Sequence, residues 1–225
     1  MKTIQIAIDG PAGAGKSTIS KTLAQQLGYM YIDTGALYRT VGLHVCRKGI
    51  GLKETEKMPG ALSDMQVELK YVDGQQHVML GGEDVSDLIR TPEMSMYASA
   101  VSAVPQVREA LLDMQRQLAQ KYNVIMDGRD IGTVVLPQAQ IKIFLTATPE
   151  DRAQRRYLEL KKKDSNTQFE DVLADLIKRD HDDSTRAIAP LRPAEDAIMV
   201  DTTGCTLEQA VQKMLGVVKE RLQHV

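Results

Sequence analysis

The glycine-rich stretch at residues 10–18, GPAGAGKST, constrains the fold of this chain more than any other feature. It matches G-x-x-x-x-G-K-[ST], a pattern typical of a phosphate-binding loop between a strand and a helix. Both flanks fit, since residues 4–8 predict a β-branched strand and residues 17–27 carry apolar side chains at helical spacing. A chance glycine-rich turn is the alternative, and the strand and helix on either side argue against it.

The composition of the loop indicates its chemistry. Gly10, Gly13 and Gly15 permit backbone conformations in which N–H groups line an anion-sized hollow. The following helix directs the positive end of its dipole at the same point. Lys16 adds a charge for the β- and γ-phosphates, and the Ser17 hydroxyl is a candidate Mg²⁺ ligand. The predicted phosphate-binding residues are Gly10, Pro11, Ala12, Gly13, Ala14, Gly15, Lys16, Ser17 and Thr18.

Short apolar runs alternate with helical patterns through most of the chain, which predicts a parallel sheet covered by helices on both faces. The predicted strands are residues 4–8, 29–32, 124–126, 141–145 and 198–200, and the further predicted helices are 34–48, 105–122, 169–178, 207–222 and one beginning at Thr148. Residues 52–96 differ, because a short helix over 55–65 precedes a hairpin pattern around Asp73-Gly74. We therefore expect an α/β fold with a small antiparallel insert.

Bulk composition limits the class of protein. The 225 residues carry a net charge of −2, which argues against a broad nucleic-acid or membrane surface. The chain has no apolar run of membrane-spanning length and no pattern of a signal peptide. Its two cysteines suit a reducing cytoplasm. We expect a cytoplasmic protein with no nucleic-acid or membrane partner and with a monomer as the default state.

Charged residues follow the predicted strand at residues 124–126. Asp127 lies where a second acidic residue can hold Mg²⁺ through water, and Arg129 can bind a substrate phosphate bidentately. Asp130 can accept a hydrogen bond from an exocyclic amine. An Asx turn, for which Asp-Gly is a common sequence, is the alternative interpretation.

Residues 33–39, DTGALYR, combine a helix start with a cation. The Thr34 hydroxyl and Arg39, which has no evident partner in the sequence, fit an acceptor-phosphate site at a helix N-terminus. Simple helix capping is the alternative for Thr34.

Two groups of arginines flank a polar run at residues 161–168, which is the best candidate for a mobile loop. Arg152, Arg155 and Arg156 lie close together on one predicted helix, and the second group is Arg179, Arg186 and Arg192. A solvated basic face is the alternative. With a phosphate loop in the same chain, the pattern favours a lid over a polyphosphate.

Taken together, GPAGAGKST, DTGALYR, GEDVSDLIR, VPQVREAL, DGRDIGTVV, RAQRR and RAIAPL resemble the bacterial cytidylate kinases, from residue 4 to about residue 220. The resemblance implies a three-layer α/β/α P-loop NTPase fold with a five-stranded parallel sheet. It also implies one domain over 1–225, a monophosphate-binding region at 34–100 with a β-insert at about 60–90, and a helical lid at 150–168.

The resemblance further implies transfer of the γ-phosphate of ATP to CMP or dCMP with Mg²⁺. The implied catalytic residues are Lys16, Arg129, Arg152, Arg156 and Arg186, with Arg155 joining the loop in ATP binding and with Ser17 and Asp127 (through water) as the Mg²⁺ site. The implied CMP-binding residues are Thr34, Arg39, Ser99, Arg108, Arg129, Asp130, Asp183 and Arg186.

Two other functions compete with this interpretation. One is a kinase for another small acceptor, such as UMP, AMP or shikimate. The other is a nucleotide-dependent switch, because residues 201–204 match the D-x-x-G of GTPases. That match lies late in the chain, and the sequence contains no Asn-Lys-x-Asp guanine-binding motif.

Overall fold

The computed structural model describes residues 3–72, 75–162 and 165–224. The strands in this part are β1 (Gln5–Asp9), β2 (Met30–Asp33), β3 (Val67–Val72), β4 (Gln75–Leu80), β5 (Glu83–Asp84), β6 (Val124–Gly128), β7 (Ile141–Thr146) and β8 (Ile198–Asp201). The α-helices are α1 (Lys16–Leu27), α2 (Thr34–Arg47), α3 (Met58–Ala61), α4 (Pro92–Ser102), α5 (Pro105–Lys121), α6 (Pro149–Lys161), α7 (Phe169–Thr185) and α8 (Leu207–Leu222). Within these ranges no helix has both the length and the apolar character needed to cross a bilayer.

The main sheet has the strand order β2-β6-β1-β7-β8, and every pair in it is parallel. Alternation along β1 sends Ile6 and Ile8 to one face, where α1 and α8 cover them, and Ala7 to the other. That second face is covered by the end of α5 and by a π-helical turn at Ile131–Val135. The predicted five-stranded, three-layer α/β/α fold is therefore confirmed, and all strand carboxyl ends meet at one edge.

The β-insert (residues 67–84) forms a second, antiparallel sheet of β3, β4 and β5. Val78 and Leu80 on β4 are buried with Leu37 and Val41 of α2 in one apolar cluster. The insert is thus fixed to the helix that follows β2. The predicted turn at Asp73-Gly74 lies outside the described residues.

Three helical segments differ from the sequence prediction. Helix α4 was not predicted; Thr91 caps it, and Met94 is buried on its inner side. Helix α7 continues to Thr185, seven residues beyond the predicted end at Lys178. The short helix expected over 55–65 is divided between α3 and a 3₁₀ turn at Leu62–Asp64.

Candidate active site

The phosphate-binding loop connects β1 to α1, as its motif requires. Gly10 has φ 152°, and a Cβ there would lie 2.0 Å from the carbonyl oxygen of Leu145, so β7 leaves no room for a side chain. Gly13 and Gly15 have φ values of 73° and 83°, in the left-handed region that favours glycine. The glycines therefore allow the loop both to pass close to the sheet and to curl over the start of α1.

Lys16 is buried at the start of α1, and its Nζ donates a hydrogen bond to the carbonyl oxygen of Pro11 at 2.7 Å. This bond holds the ammonium group inside the curve of the loop. Burial, assisted by the nearby charge of Arg129, lowers the pKa of Lys16 to about 7. An anion placed in the loop would oppose that shift, because it favours the charged form of the lysine.

Asp127, at the end of β6, links three elements. Its Oδ2 accepts a hydrogen bond from the Ser17 hydroxyl at 2.7 Å, and its Oδ1 accepts one from the Tyr31 hydroxyl at 3.0 Å. The Thr34 hydroxyl donates to the main-chain carbonyl of Asp127 at 2.7 Å, so Thr34 does not cap α2. Asp33 is the capping residue, and its side chain accepts from the N–H of Ala36. Burial, together with the charge of Asp33, raises the pKa of Asp127 to about 6.

A second buried carboxylate, Asp9, was not predicted as part of the site. Its two oxygens accept the N–H groups of Ile131 and Gly132, each at 2.7 Å. These bonds hold the first turn after Asp130, where the chain winds into the π-helical turn. Burial raises the pKa of Asp9 to about 6 against the opposing effect of the two hydrogen bonds. The only sequence signal was an aspartate immediately before the glycine loop.

Asp130 lies at the centre of a group that we call the acceptor cluster (Ser102, Arg108, Asp130 and Arg186). Its carboxylate is ion-paired with Arg108 and, at 3.3 Å, with Arg186. Arg108 also donates to the main-chain carbonyl of Ser102 at 3.2 Å, and Arg186 to the Ser102 hydroxyl at 3.1 Å. Ser102, on the unpredicted helix α4, was not predicted as a site residue. Ser99, which was predicted, contributes its main-chain carbonyl, and that carbonyl accepts a hydrogen bond from the Ser102 hydroxyl at 2.8 Å.

A second ion pair joins Arg129 to Asp183 of α7, with Nε and Oδ2 2.8 Å apart. Arg179, one turn earlier on α7, is half-buried, and this burial together with the neighbouring charge of Arg129 lowers its pKa. Among the described residues, the buried Nε atoms of Arg39 and Arg179 have no hydrogen-bond partner. Each of these two guanidinium groups therefore keeps one N–H donor that no protein acceptor satisfies, which suits the binding of an anion.

Arg39 has a protein partner that the sequence did not reveal. Its Nη2 lies 3.1 Å from Oδ2 of Asp33, the residue that caps α2. Thr34 and Arg39 therefore stand at the same helix end, as predicted, with the guanidinium oriented by a carboxylate six residues earlier. We call these two residues, after the role that the sequence predicts for them, the acceptor-phosphate site.

The three arginines of α6 have different surroundings. Arg152 is buried and donates to the main-chain carbonyls of Ala12 and Ala147, each at 2.9 Å, and its Nη2 pairs with Asp180 at 2.7 Å. Arg155 bonds the carbonyl of Thr202 at 2.7 Å. Arg156 pairs with the exposed Glu159 at 3.0 Å. The alternative interpretation of these arginines as a solvated basic face is therefore wrong for Arg152, which is bound to the phosphate loop. In the second predicted arginine group, Arg192 is exposed.

Comparison with known proteins identifies the family of this chain. Residues 6–220 match the family model described as cytidylate kinase. The chain belongs to the cytidylate kinase family. A family member named cytidylate kinase from Caldicellulosiruptor bescii is 57% identical over 215 residues, which cover 96% of this chain and 95% of that protein. Another of the same name, from Syntrophotalea carbinolica, is 49% identical over 218 residues, which cover 97% of this chain and 93% of that protein. The resemblance inferred from the motifs is confirmed, and the chain is an enzyme of a nucleotide-binding kinase family.

A solved structure of an uncharacterized protein from Eubacterium ventriosum shares the fold of this cytidylate kinase family member. It has a TM-score of 0.53 at 13% identity, and the match covers 97% of this chain and 99% of that one. At that identity the likeness concerns the fold alone.

Proposed function

We propose that this chain transfers the γ-phosphate of ATP to CMP or dCMP, giving ADP and CDP or dCDP. The observation that carries the proposal is the pairing of two sites at one sheet edge. The loop at residues 10–18 with Lys16 follows β1 and is suited to a polyphosphate. The acceptor-phosphate site lies on the helix after β2, and Asp130 of the acceptor cluster follows β6. Relatives 57% and 49% identical to this chain are named cytidylate kinase.

The donor side fits ATP with Mg²⁺. Ser17 and Asp127 present a hydroxyl and a carboxylate, the hard oxygen donors that Mg²⁺ prefers, and their oxygens are 2.7 Å apart. Ser17 would bind the ion directly and Asp127 through water. When bound, Mg²⁺ neutralises charge on the β- and γ-phosphate oxygens. Arg155, which lies against Thr202 beyond the loop, is proposed to contact the rest of the nucleotide.

The acceptor side fits a cytidine monophosphate. Thr34, Arg39 and Arg129 are proposed to bind its phosphate, since Arg39 retains an unpaired donor and Arg129 is held at the end of β6. The acceptor cluster, with Ser99, offers the oriented donors and carboxylate needed to recognise the base. Asp183, on the same helix as Arg179, is proposed to contact the sugar. The contacting residues on this side are therefore Thr34, Arg39, Ser99, Arg108, Arg129, Asp130, Asp183 and Arg186.

The proposed reaction has no covalent enzyme intermediate. A phosphate oxygen of CMP forms a bond to the γ-phosphorus of ATP. The bond from that phosphorus to the β–γ bridging oxygen, which lies in line with the new bond, breaks, and the bridging oxygen leaves as part of ADP. Lys16, Arg129, Arg156 and Arg186 are proposed to stabilise the negative charge that spreads over the transferred group. Arg152, also predicted to be catalytic, has its guanidinium held by Ala12, Ala147 and Asp180, and its proposed contribution is to support the phosphate loop. Residues 150–168 are proposed to form a lid that excludes water, and its residues 163–164 lie outside the described ranges.

A panel of acceptors tests the proposal. CMP, dCMP, UMP, AMP and shikimate are each supplied with ATP and Mg²⁺, and ADP and the phosphorylated acceptor are quantified by chromatography, with AMP scored by the formation of two ADP for each ATP consumed. We expect CMP and dCMP to give the highest kcat/KM, and Lys16→Ala to lower kcat by at least about 100-fold. Preference for another acceptor, or near-normal turnover by Lys16→Ala, would overturn the assignment. A cytoplasmic location and a monomeric state are also proposed, and light scattering measures the second.

A further inference from the structure

The outer edge of β2 is met by side chains of the β-insert rather than by another strand. β2 is the terminal strand of the main sheet, so the outward main-chain groups of Tyr31 and Asp33 have no strand partner. The Tyr71 hydroxyl donates to the carbonyl of Tyr31 at 3.1 Å. The Gln76 side chain accepts from the N–H of Asp33 at 2.9 Å, and its amide nitrogen lies 3.5 Å from the Asp33 carbonyl oxygen. The half-buried Gln76 thus occupies the position of a neighbouring strand.

Asp33 carries this contact to the acceptor-phosphate site. Its carboxylate caps α2 by accepting the N–H of Ala36 at 2.8 Å and also pairs with Arg39. The next residue, Thr34, bonds to β6. Any rotation of the Asp33 main chain would therefore move the Arg39 guanidinium and the first turn of α2 together. Gln76 bonds to the one residue that orients both.

The insert is also anchored by apolar packing outside this contact. Val78 and Leu80 pack with Leu37 and Val41 in the large apolar cluster that includes α2. Near Gln76, by contrast, the insert and the main sheet are separated by a cavity of about 60 Å³ lined by Lys21, Tyr31, Asp33, Gln75 and Gln76 among others. Hydrogen bonds rather than close apolar packing therefore fix the position of β2 relative to the insert at this point.

We propose that Gln76 is a positioning residue for the acceptor-phosphate site, assisted by Tyr71, and that the insert thereby sets the affinity for the acceptor monophosphate. This inference rests on the proposed kinase function. Gln76 does not touch the reacting atoms; it holds the Asp33 main chain so that Arg39 faces the acceptor phosphate.

The test uses Gln76→Met, which keeps the length of the side chain and removes both polar contacts. We expect KM for CMP to rise about three- to tenfold, the effect of losing one or two net hydrogen bonds, with KM for ATP unchanged. Gln75→Met is the matched control, since the exposed Gln75 bonds Lys21 of α1 at 3.3 Å instead of β2. It should leave both KM values unchanged. Tyr71→Phe should raise KM for CMP in the same direction, by a smaller factor.

A double-mutant cycle with Arg39→Ala separates positioning from a general structural effect. If Gln76 acts through Arg39, then adding Gln76→Met to Arg39→Ala should change KM for CMP by less than about twofold. A full further rise in that background, equal rises in both KM values, or an equal effect of Gln75→Met would each refute the proposal. Absence of CMP phosphorylation by the wild-type chain would instead refute the proposed function, so the two failures are distinguishable.

Discussion

Replacing Arg152 by alanine should destabilise the protein far more than a surface arginine change does. The guanidinium group is buried and has three partners: the carbonyls of Ala12 and Ala147, each at 2.9 Å, and Asp180 at 2.7 Å. Truncation leaves two carbonyls and a carboxylate without their donors. Removing one member of a fully buried charge pair costs about 3–5 kcal/mol, and the partial exposure of Asp180 places this case near the lower end, at about 3 kcal/mol.

This figure translates into a measurable melting temperature. For a chain of this size, a destabilisation of about 3 kcal/mol lowers Tm by about 6–12 °C. Differential scanning calorimetry on wild type, Arg152→Ala and Arg152→Lys gives the comparison, and the lysine variant should fall between the other two because it keeps a charge. Arg156→Ala is the matched control on the same helix, with an exposed partner, and should lower Tm by no more than about 2 °C.

Kinetics on the same variants separate two roles for α6. Since Arg152 holds the Ala12 carbonyl of the phosphate loop, Arg152→Ala should raise KM for ATP as well as lower Tm. Arg156→Ala should lower kcat with Tm nearly unchanged if the arginine acts on the transferred phosphate. A Tm for Arg152→Ala within about 2 °C of wild type would show that the three contacts contribute little to stability. It would also contradict the inference that Arg152 supports the phosphate loop.

Three further predictions concern buried polar groups. Thr34→Val removes a hydroxyl that donates to a buried carbonyl and should cost about 1–2 kcal/mol in urea unfolding, whereas Thr34→Ser should cost less than about 1 kcal/mol. Asp130→Asn leaves Arg108 and Arg186 without their carboxylate, so kcat/KM for CMP should fall about 100-fold. The affinity for ATP, measured by calorimetry, should be unchanged. An equal loss of ATP affinity would indicate that Asp130 supports the overall structure instead. Asp9 binds its proton more tightly in the folded state, with a pKa of about 6, than in the unfolded chain, so its contribution to stability is greatest at low pH and is lost as pH rises through 6. The unfolding free energy of wild type minus that of Asp9→Asn should therefore fall by about 2 kcal/mol between pH 4.5 and 7, and a pH-independent difference would show that Asp9 does not titrate as assigned.

The phosphate loop was predictable because all of its determinants are local. The glycines, Lys16 and the flanking strand and helix lie within residues 4–27, and periodicity together with glycine spacing specifies them. The five strands were predictable for a related reason, since each is a short apolar run. The three central strands β1, β6 and β7 are almost wholly buried, and the edge strands β2 and β8 are partly exposed.

The elements that the sequence did not reveal depend on distant partners. The last turns of α7 lack an apolar stripe, and they are instead stabilised by the pairs of Asp180 with Arg152 and of Asp183 with Arg129. The π-helical turn after Asp130 is held by Asp9, which is 122 residues away from Ile131. Neither relation leaves a periodic signal. Helix α4 is a different case, because the Thr91 cap and Pro92 were visible, and its small and sulphur-containing residues obscured the amphipathic pattern.

The partners of the arginines proposed to bind the acceptor suggest how such a site would distinguish monophosphates. Arg39, Arg108, Arg129 and Arg186 are each already oriented by a carboxylate: Asp33, Asp130, Asp183 and Asp130 respectively. A bound phosphate therefore adds to an arranged set of donors and does not have to order flexible side chains, which reduces the entropic cost of binding. The carboxylates also limit the net positive charge of the site, so that a simple anion gains less there than a ligand whose base and sugar contact the aspartates as well. Discrimination between monophosphates should accordingly depend more on Asp130 and Asp183 than on the arginines that they hold.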